Sequence, residues 1–373
     1  MNNEVKELID KVYDEGVRGA SQPREVIIRL LELDPSSEEV SYLKEKAAEL
    51  AHIATGNSAS ISGAIGVDLC SCDMNCKFCA FGTEWGLVEE DVIYSKEEII
   101  ELVRAYVEAG VTTITLRSTE FYDMNVLSEW LADIREAVPG SYLINLNVGE
   151  MSPAMAEAAY QAGATSAYHV IRMREGIDTP FDVDLRWKTV DAISNSPLRW
   201  LTCVEPLGVE HTNEEIADRI LENLAHRPYA MSVMARVNVP GTPFEGMEEI
   251  SEERMLQLLA TLRLVVGTKV RSCGMHPAIP AALYAGGSNF TVERGANPRD
   301  TTFNEDVWRG FTVEEAKALI EEAGFVCRPE NPDPRFPVDG KQWWKVGDPA
   351  DYIMPDPVEN AGAGCCCGPR KKK

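Results

Sequence analysis

Strand-like and helix-like segments alternate along most of this 373-residue chain, and that alternation limits the fold more than any other feature. Short apolar runs of strand character occur at Ala64–Leu69, Thr112–Arg117, Tyr142–Asn147, Ser166–Ile171, Arg199–Val204, Met231–Val237, Thr268–Arg271 and Asn289–Val292, separated by amphipathic stretches of helical period. Repeated βα units of this length imply a parallel sheet, and eight of them imply an α/β fold of the TIM-type (β/α)8 barrel class. Local signals agree. Ser95-x-x-Glu98, Thr212-x-x-Glu215 and Thr312-x-x-Glu315 are capping boxes, in which a hydroxyl and a carboxylate satisfy the orphaned amides of a first helical turn. Glu108-Ala-Gly-Val111 and Gln161-Ala-Gly-Ala164 mark returns from helix to strand, with glycine supplying the left-handed stop.

The rest of the chain divides around that repeat. Glu4 to about Ile53 has helical periodicity, broken near Ser21-Gln-Pro23 and Asp34-Pro-Ser-Ser37, so residues 1–58 are expected to form a helical N-terminal extension and 59–302 the barrel. Residues 303–361, Pro-rich and containing Trp343-Trp344, read as a C-terminal wrap, and 362–373 as a flexible tail with the triplet Cys365-Cys366-Cys367 and a basic end. Those three thiols are either a thiol-rich frayed end or a soft-metal delivery site. A hydrophobic content of 45% allows one large core. The net charge of −24 argues against a nucleic-acid partner, since phosphate binding needs clustered Lys and Arg. No apolar run reaches the length of a membrane span and no basic-then-apolar leader opens the chain, so a cytoplasmic location is expected. Ten cysteines in such a chain point to metal or redox chemistry more than to disulfides, and an open 4Fe-4S cluster, if they hold one, implies an anaerobic or well-reduced setting.

Barrel chemistry sits at the C-terminal ends of the strands. Directly after the first strand comes Cys70-Ser-Cys-Asp-Met-Asn-Cys-Lys-Phe-Cys79, in which Cys72, Cys76 and Cys79 give the spacing C-x3-C-x2-C. Three thiolates on a short loop can hold three irons of a 4Fe-4S cluster and leave the fourth open, whereas structural zinc takes four ligands. No nearby C-x2-C or His pair supplies a fourth, and Cys203 and Cys273 are single and distant. Cys70 creates an overlapping C-x5-C-x2-C frame, so it competes with Cys72 as the first ligand.

This loop resembles that of the radical S-adenosylmethionine (SAM) superfamily. The resemblance implies that the amine and carboxylate of SAM chelate the open iron, that the reduced cluster cleaves SAM to a 5′-deoxyadenosyl radical, and that a one-electron donor such as ferredoxin or flavodoxin feeds it. It also favours Cys72 over Cys70, because the three-residue gap is the superfamily's usual geometry. Phe78 then occupies the aromatic slot packed near the adenine. At the end of strand two, in Thr115-Leu-Arg-Ser-Thr-Glu-Phe121, Glu120 stands where the ammonium of SAM is received; Asn147 and Glu150 close strand three toward the same mouth. Arg172, after strand four, is the expected partner of the SAM carboxylate, because guanidinium and carboxylate pair in bidentate fashion, while His169 reads as a wall residue. After strand five, the Gly208 backbone is expected to approach the adenine edge or ribose, and Glu210 either accepts from a ribose hydroxyl or compensates a helix N-terminus. Arg236 is a candidate for a substrate carboxylate, and Arg271 is expected to point from strand seven into the mouth.

From Ser60 to Thr302 the fragments are similar to one branch of the superfamily, containing biotin synthase, the hydrogenase maturase HydE, methylornithine synthase (PylB) and HmdB, a protein of iron-hydrogenase cofactor assembly. Ser118-Thr-Glu120 and Leu146-Asn-Val-Gly-Glu150 resemble elements of HydE, and Val239-Pro-Gly-Thr-Pro243 with Val270-Arg271-Ser272 resembles biotin synthase. Biotin synthase carries a second, 2Fe-2S cluster on an arginine and strand cysteines. Arg271 matches the arginine, but Leu116 and Leu146 lie near the cysteine positions and Cys203 is offset, so that cluster is not expected and sulfur insertion is put in doubt. The C-x5-C-x2-C frame is associated with HmdB. The resemblance therefore implies hydrogen abstraction from a small organic substrate in metallocofactor biosynthesis; the rivals are a rearrangement of the methylornithine-synthase kind and a non-catalytic iron–sulfur carrier.

Overall fold

The structure is a computed structural model and describes residues 1–120, 123–299 and 309–327. Eight parallel strands form its centre: β1 (Ser58–Gly66), β2 (Thr113–Arg117), β3 (Leu143–Asn147), β4 (Ser166–Tyr168), β5 (Arg199–Leu207), β6 (Ala230–Ala235), β7 (Met275–His276) and β8 (Asn289–Gly295). Their order is β8-β1-β2-β3-β4-β5-β6-β7, every pairing is parallel, and a bridge between Gly274 and Asn289 brings the two edges together. The expected eight-stranded barrel is present, nearly closed.

Each strand alternates between two faces, as a pleat requires. One set, including Ile61, Ile65, Ile114, Leu116, Ile144, Leu146, Phe290 and Val292, packs outward into the main core with the surrounding helices. Those helices start where the sequence says they must. α4 (Lys96–Ala109), α8 (Asn213–Ala225) and α10 (Val313–Glu322) each carry a complete capping box, and α4 stops at Gly110, whose φ of 100° is left-handed. α5 (Met124–Ala137), α6 (Pro153–Gln161) and α7 (Val183–Ser194) complete this ring. A two-residue strand, β9 (Val326–Cys327), follows α10 and pairs with the start of β1.

The N-terminal helices α1 (Asn3–Val17), α2 (Arg24–Leu31) and α3 (Glu38–Thr55) break where Pro23 and Pro35 predict, and pack around α9 (Glu252–Val266). That explains why α9 is apolar around most of its circumference: Ala260 and Leu264 meet α1 and α3, while Leu258, Leu262 and Val265 face the barrel.

Several strand expectations need correction: the first strand is Ser58–Gly66 and not Ala64–Leu69, because after Gly66 the chain leaves the barrel and Asp68–Leu69 pairs with Val92–Ile93 instead. Thr268–Arg271 is not a strand. The chain leaves α9 through Gly267, where a Cβ would stand 2.4 Å from the carbonyl oxygen of Gly16, and makes a 3-10 turn over Gly267–Lys269 beneath α1. It reaches the sheet only at Ser272, which bridges Ala230, and at β7. Strand four ends at Tyr168 and not Ile171, and strand five runs on to Leu207 with a register shift between Val204 and Leu207, where Pro206 has no N–H to give the ladder. The expected C-terminal wrap beyond residue 327, Trp343-Trp344 and the Cys365-Cys366-Cys367 tail lie outside the described residues.

Candidate active site

The cysteine loop is fastened before it begins. At Gly66 the end of β1 passes so close to Ala296 that a Cβ would lie 1.9 Å from its carbonyl oxygen, and the buried Asp68 then accepts from the backbone N–H of Thr119 at 2.9 Å and from its hydroxyl. Burial pushes Asp68 up to about 6 against those bonds. Asp68–Leu69 pairs antiparallel with Val92–Ile93, which sets the exit direction. Within the loop the Cys72 N–H donates to Phe81 O (2.7 Å) and the Cys79 N–H to Cys76 O (2.9 Å), while Asn75 takes a left-handed φ of 45°. From outside, the Ala80 N–H donates to Pro298 O (2.7 Å), Lys77 Nζ reaches Asp178 (3.0 Å), and Trp85 Nε1 donates to Cys79 O (2.7 Å).

The thiols of Cys72, Cys76 and Cys79 line a cavity of about 370 Å³ that opens from this loop into the barrel. Cys70 does not line it; its residue is fully buried and its side chain interacts with Asp68. Among the described residues no three His, Cys, Asp or Glu side chains form a group that could hold a single metal ion. That fits a 4Fe-4S cluster, which takes one thiolate on each of three separate irons and does not need them to converge. The three thiols sense one another electrostatically. Burial is the main influence on each, pushing Cys72 up to about 12 and raising Cys76 and Cys79, whereas Arg172 draws Cys76 and Cys79 back. Ionised thiols buried this way call for a cationic centre among them.

Beside the thiols stands a network of three carboxylates and two guanidinium groups. Arg186 approaches Glu150 at 2.9 Å, Glu120 at 3.7 Å and Glu175 at 3.7 Å. Arg172, placed over the Phe181 ring at 5.2 Å, keeps only a long 3.9 Å approach to Glu175, and its buried Nη1 has no hydrogen-bond partner among the described residues. Glu120 is raised to about 7, first by burial and further by Glu150 and Glu175, with Arg186 opposing. An ammonium beside Glu120 would restore charge balance here, and a carboxylate is the acceptor that the buried, unpartnered nitrogen of Arg172 lacks. Phe78, Glu120, Asn147 and Arg172 all line the cavity, as does His169, which burial holds far below its ordinary range and therefore neutral.

Several expected mouth residues are elsewhere. Glu150 does not line the cavity; it accepts from Arg186 and the Thr189 hydroxyl. Glu210 does not line it either, because it accepts from Arg236 Nη2 at 3.0 Å. Arg236 reaches the wall, but both its terminal nitrogens are engaged, with Asn238, Glu210 and Glu248 O, which leaves no fork for a substrate carboxylate. Gly208 makes room for this pair: a Cβ there would lie 2.2 Å from Glu210 Oε2 and 2.5 Å from Arg236 Nη2. Arg271 is at the opposite end of the barrel, donating to Ala54 O and Thr55 O at 2.8 Å each, because the chain has not yet entered the sheet there. Leu116 and Leu146 face outward; the lumen positions on those strands are Thr115 and Asn145, so no thiol stands there either. Cys203 does line the cavity, next to Glu205, which accepts from the Tyr168 hydroxyl.

The network on the other wall was not anticipated. Glu293 on β8 accepts from Arg117 (2.9 Å) and Arg299 (2.7 Å), and Arg299 also contacts His276 Nε2 at 2.8 Å. The signal was available: Thr113-x-Thr115-x-Arg117 and Asn289-x-Thr291-x-Glu293 carry polar groups at period two, facing into the barrel where apolar side chains are usual.

No family model matches the chain. It is 23% identical over 221 residues to the biotin synthase of Alkalilimnicola ehrlichii, covering 56% of this chain and 66% of that enzyme, and 22% identical over 300 residues to the biotin synthase of Shewanella loihica, covering 72% and 84%. Among solved structures, methylornithine synthase (PylB) superposes with a TM-score of 0.73 at 19% identity over 86% of this chain and 98% of that one. The hydrogenase maturase HydG from Carboxydothermus hydrogenoformans superposes with a TM-score of 0.67 at 17% identity, over 87% and 80%. The chain thus shares the parallel barrel of PylB and HydG, is similar in sequence to biotin synthases, and carries on its first barrel loop the C-x3-C-x2-C spacing in which it resembles the radical SAM superfamily.

Proposed function

We propose that this enzyme generates a 5′-deoxyadenosyl radical from SAM and uses it to take a hydrogen atom from a small organic substrate, in the biosynthesis of a metallocofactor. The observation that carries the first half is the meeting, on one cavity wall, of three thiols, the buried carboxyl of Glu120 and the unpartnered Nη1 of Arg172. When bound, the cluster and SAM supply that radical, with the electron delivered by a donor such as ferredoxin or flavodoxin. Cys72, Cys76 and Cys79 hold the cluster. Arg172 takes the carboxylate of SAM, Glu120 its ammonium, Phe78 packs against the adenine, and Asn147 lines the same wall. The barrel keeps water away and fixes the orientation of the substrate C–H, which is a positioning task more than an acid–base one.

The narrower placement, assembly of the iron-guanylylpyridinol cofactor by an enzyme of the HmdB kind, rests on the overlapping Cys70 frame in the sequence alone, since Cys70 itself lies off the cavity. In the lumen, Cys203 has no thiol on β2 or β3 to share a second cluster, which argues against sulfur insertion of the biotin-synthase type. Protein reconstituted anaerobically should carry one 4Fe-4S cluster and, with dithionite and SAM, release 5′-deoxyadenosine. Bound zinc with no iron-dependent SAM cleavage would end this reading.

A further inference from the structure

The wall that carries Glu293 stands across the lumen from the one that carries Arg172, since β8 and β4 are four places apart whichever way the nearly closed barrel is followed. Five residues of that wall line the cavity and take no part in the proposed binding of SAM: Arg117, His276, Glu293, Asn297 and Arg299. Their mutual bonds make one unit. Glu293 accepts from Arg117 Nη1 (2.9 Å), Arg299 Nη2 (2.7 Å) and Asn297 Nδ2 (3.0 Å). The buried Asn297 in turn accepts through Oδ1 from the backbone N–H and the Nε of Arg299, at 3.0 Å each. Arg117 gives its other terminal nitrogen to Ala296 O at 2.7 Å.

Two donors are left over, and the network fixes their sign. Arg299 uses Nε and Nη2 for every one of its side-chain bonds, so Nη1 has no hydrogen-bond partner among the described residues. Its Nη2 also lies 2.8 Å from His276 Nε2. A guanidinium only donates, so that imidazole nitrogen accepts, and the proton of the neutral ring is on Nδ1, which likewise has no partner among the described residues. Burial agrees, keeping His276 neutral by lowering it to about 4. Exposure then separates the front of the unit from its back: the side chains of Arg299 and His276 are 24% and 20% exposed, that of Glu293 only 5%. The carboxylate stands behind the groups it anchors. With two guanidinium groups against that one carboxylate, the unit is a net cation. Asp68, also on the cavity wall, is occupied by Thr119. Forward donors, an acceptor held at the back and an uncompensated positive charge are what an oxyanion needs and what a neutral or cationic group would leave unsatisfied.

We propose that this unit is the subsite for a carboxylate of the substrate, with Arg299 Nη1 donating to it and His276 Nδ1 as the second donor. The excess of one positive charge matches a monoanion; a phosphate dianion would leave a charge of the opposite sign. Glu293 and Asn297 are positioning residues, because they hold the guanidinium in one orientation before the ligand arrives and so reduce the ordering that binding must supply. The assignment deepens the proposed function, on which it rests for the identity of that ligand as substrate.

The test uses the cluster-reconstituted full chain and two probes of nearly equal size, pentanoate and its neutral amide pentanamide, followed by ligand-observed NMR titration. Pentanoate is expected to bind about tenfold more tightly or better, as a charge-assisted contact implies, and Arg299→Gln to erase that preference. Arg299→Lys keeps the charge and loses the planar donor set, so it should retain a smaller preference; it guards against misfolding of the glutamine variant, with cluster absorbance as the check on both. Equal binding of the two probes would overturn the assignment. So would a preference lost in Arg172→Ala and unchanged in Arg299→Gln, which would put the carboxylate on the opposite wall. A preference intact in Arg299→Gln while the reduction potential of the cluster shifts would make the unit a charge balance for the cluster, with the same result. Absence of SAM cleavage in a chain that still prefers pentanoate through Arg299 would instead strike the proposed function and leave the subsite standing.

Discussion

Arg172 and Arg271 look alike in the sequence, each ending a strand-like run, and each is expected at the mouth of the barrel. In the fold they serve opposite ends. Arg172 stands past the C-terminal end of β4 and lines the cavity, and its buried Nη1 has no hydrogen-bond partner among the described residues. Arg271 spends its two terminal nitrogens on the last carbonyls of α3, Ala54 O and Thr55 O, where a helix C-terminus offers partial negative charge. The difference teaches that residue type and strand proximity do not separate a ligand-binding arginine from a structural one; the direction of the chain through the sheet does.

The cysteine loop gives the sharpest way to test the functional end. Replacing Cys72 by Ala should abolish the 4Fe-4S cluster, read as loss of its visible absorbance and of the iron, since two thiolates cannot retain it. Cys70→Ala, which alters a buried residue off the cavity, should leave both largely intact. The reverse pattern would move the ligand assignment to the longer frame and bring the loop closer to that of HmdB.

The arginine pair comes next in size. Arg172→Ala should weaken SAM binding by about tenfold or more, as expected for a lost charge-assisted bidentate contact, while hardly moving the urea midpoint. Arg271→Ala should do the opposite, costing about 2 kcal/mol of stability through two lost hydrogen bonds from a charged donor and leaving the SAM dissociation constant unchanged. Both are measured by calorimetric titration and denaturation on the same preparations. A shared phenotype would erase the distinction between the two ends.

Much of this was legible in the sequence, and the failures have physical causes. Capping boxes and helix-stopping glycines are local devices, so α4, α8 and α10 begin as read. The triad is likewise local, and its three thiols do share one cavity. Strand seven failed because Thr268–Arg271 has strand-like composition yet is held beneath α1 by Gly267 and Gly16, a contact between residues some 250 positions apart. Glu210 reads as a ribose acceptor or a helix N-terminal charge, and Arg236 as a partner for a substrate carboxylate, because neither sequence position reveals that they pair with one another. The polar lumen is different again: its period-two pattern is plain in Asn289-x-Thr291-x-Glu293, but reading it needs the parity of each strand, and a shift of one residue exchanges Thr115 for Leu116 and Asn145 for Leu146.

The smallest expected effect concerns acid, to which the two ends of the barrel should respond differently. At the mouth, His276 lies 2.8 Å from Arg299 Nη2 and 3.5 Å from Glu293, with Arg117 on the far side of that carboxylate. Burial, helped by the two arginines and opposed by Glu293, lowers His276 from 6.5 to about 4. A histidine depressed in the folded state contributes stability that is present above about 6.5 and is lost as pH falls toward 4, because only the unfolded chain takes up the proton in that window. Near pH 6 the loss should be about 1 kcal/mol. His276→Gln keeps a neutral polar side chain and removes the titration, so its urea midpoint should fall less between pH 7.5 and pH 5 than that of the native chain. Arg271→Ala should lower stability by a similar amount at both pH values, since the hydrogen bonds it loses to Ala54 O and Thr55 O are to backbone carbonyls that do not titrate. Parallel pH slopes for the native chain and His276→Gln would remove this histidine as the source of acid sensitivity.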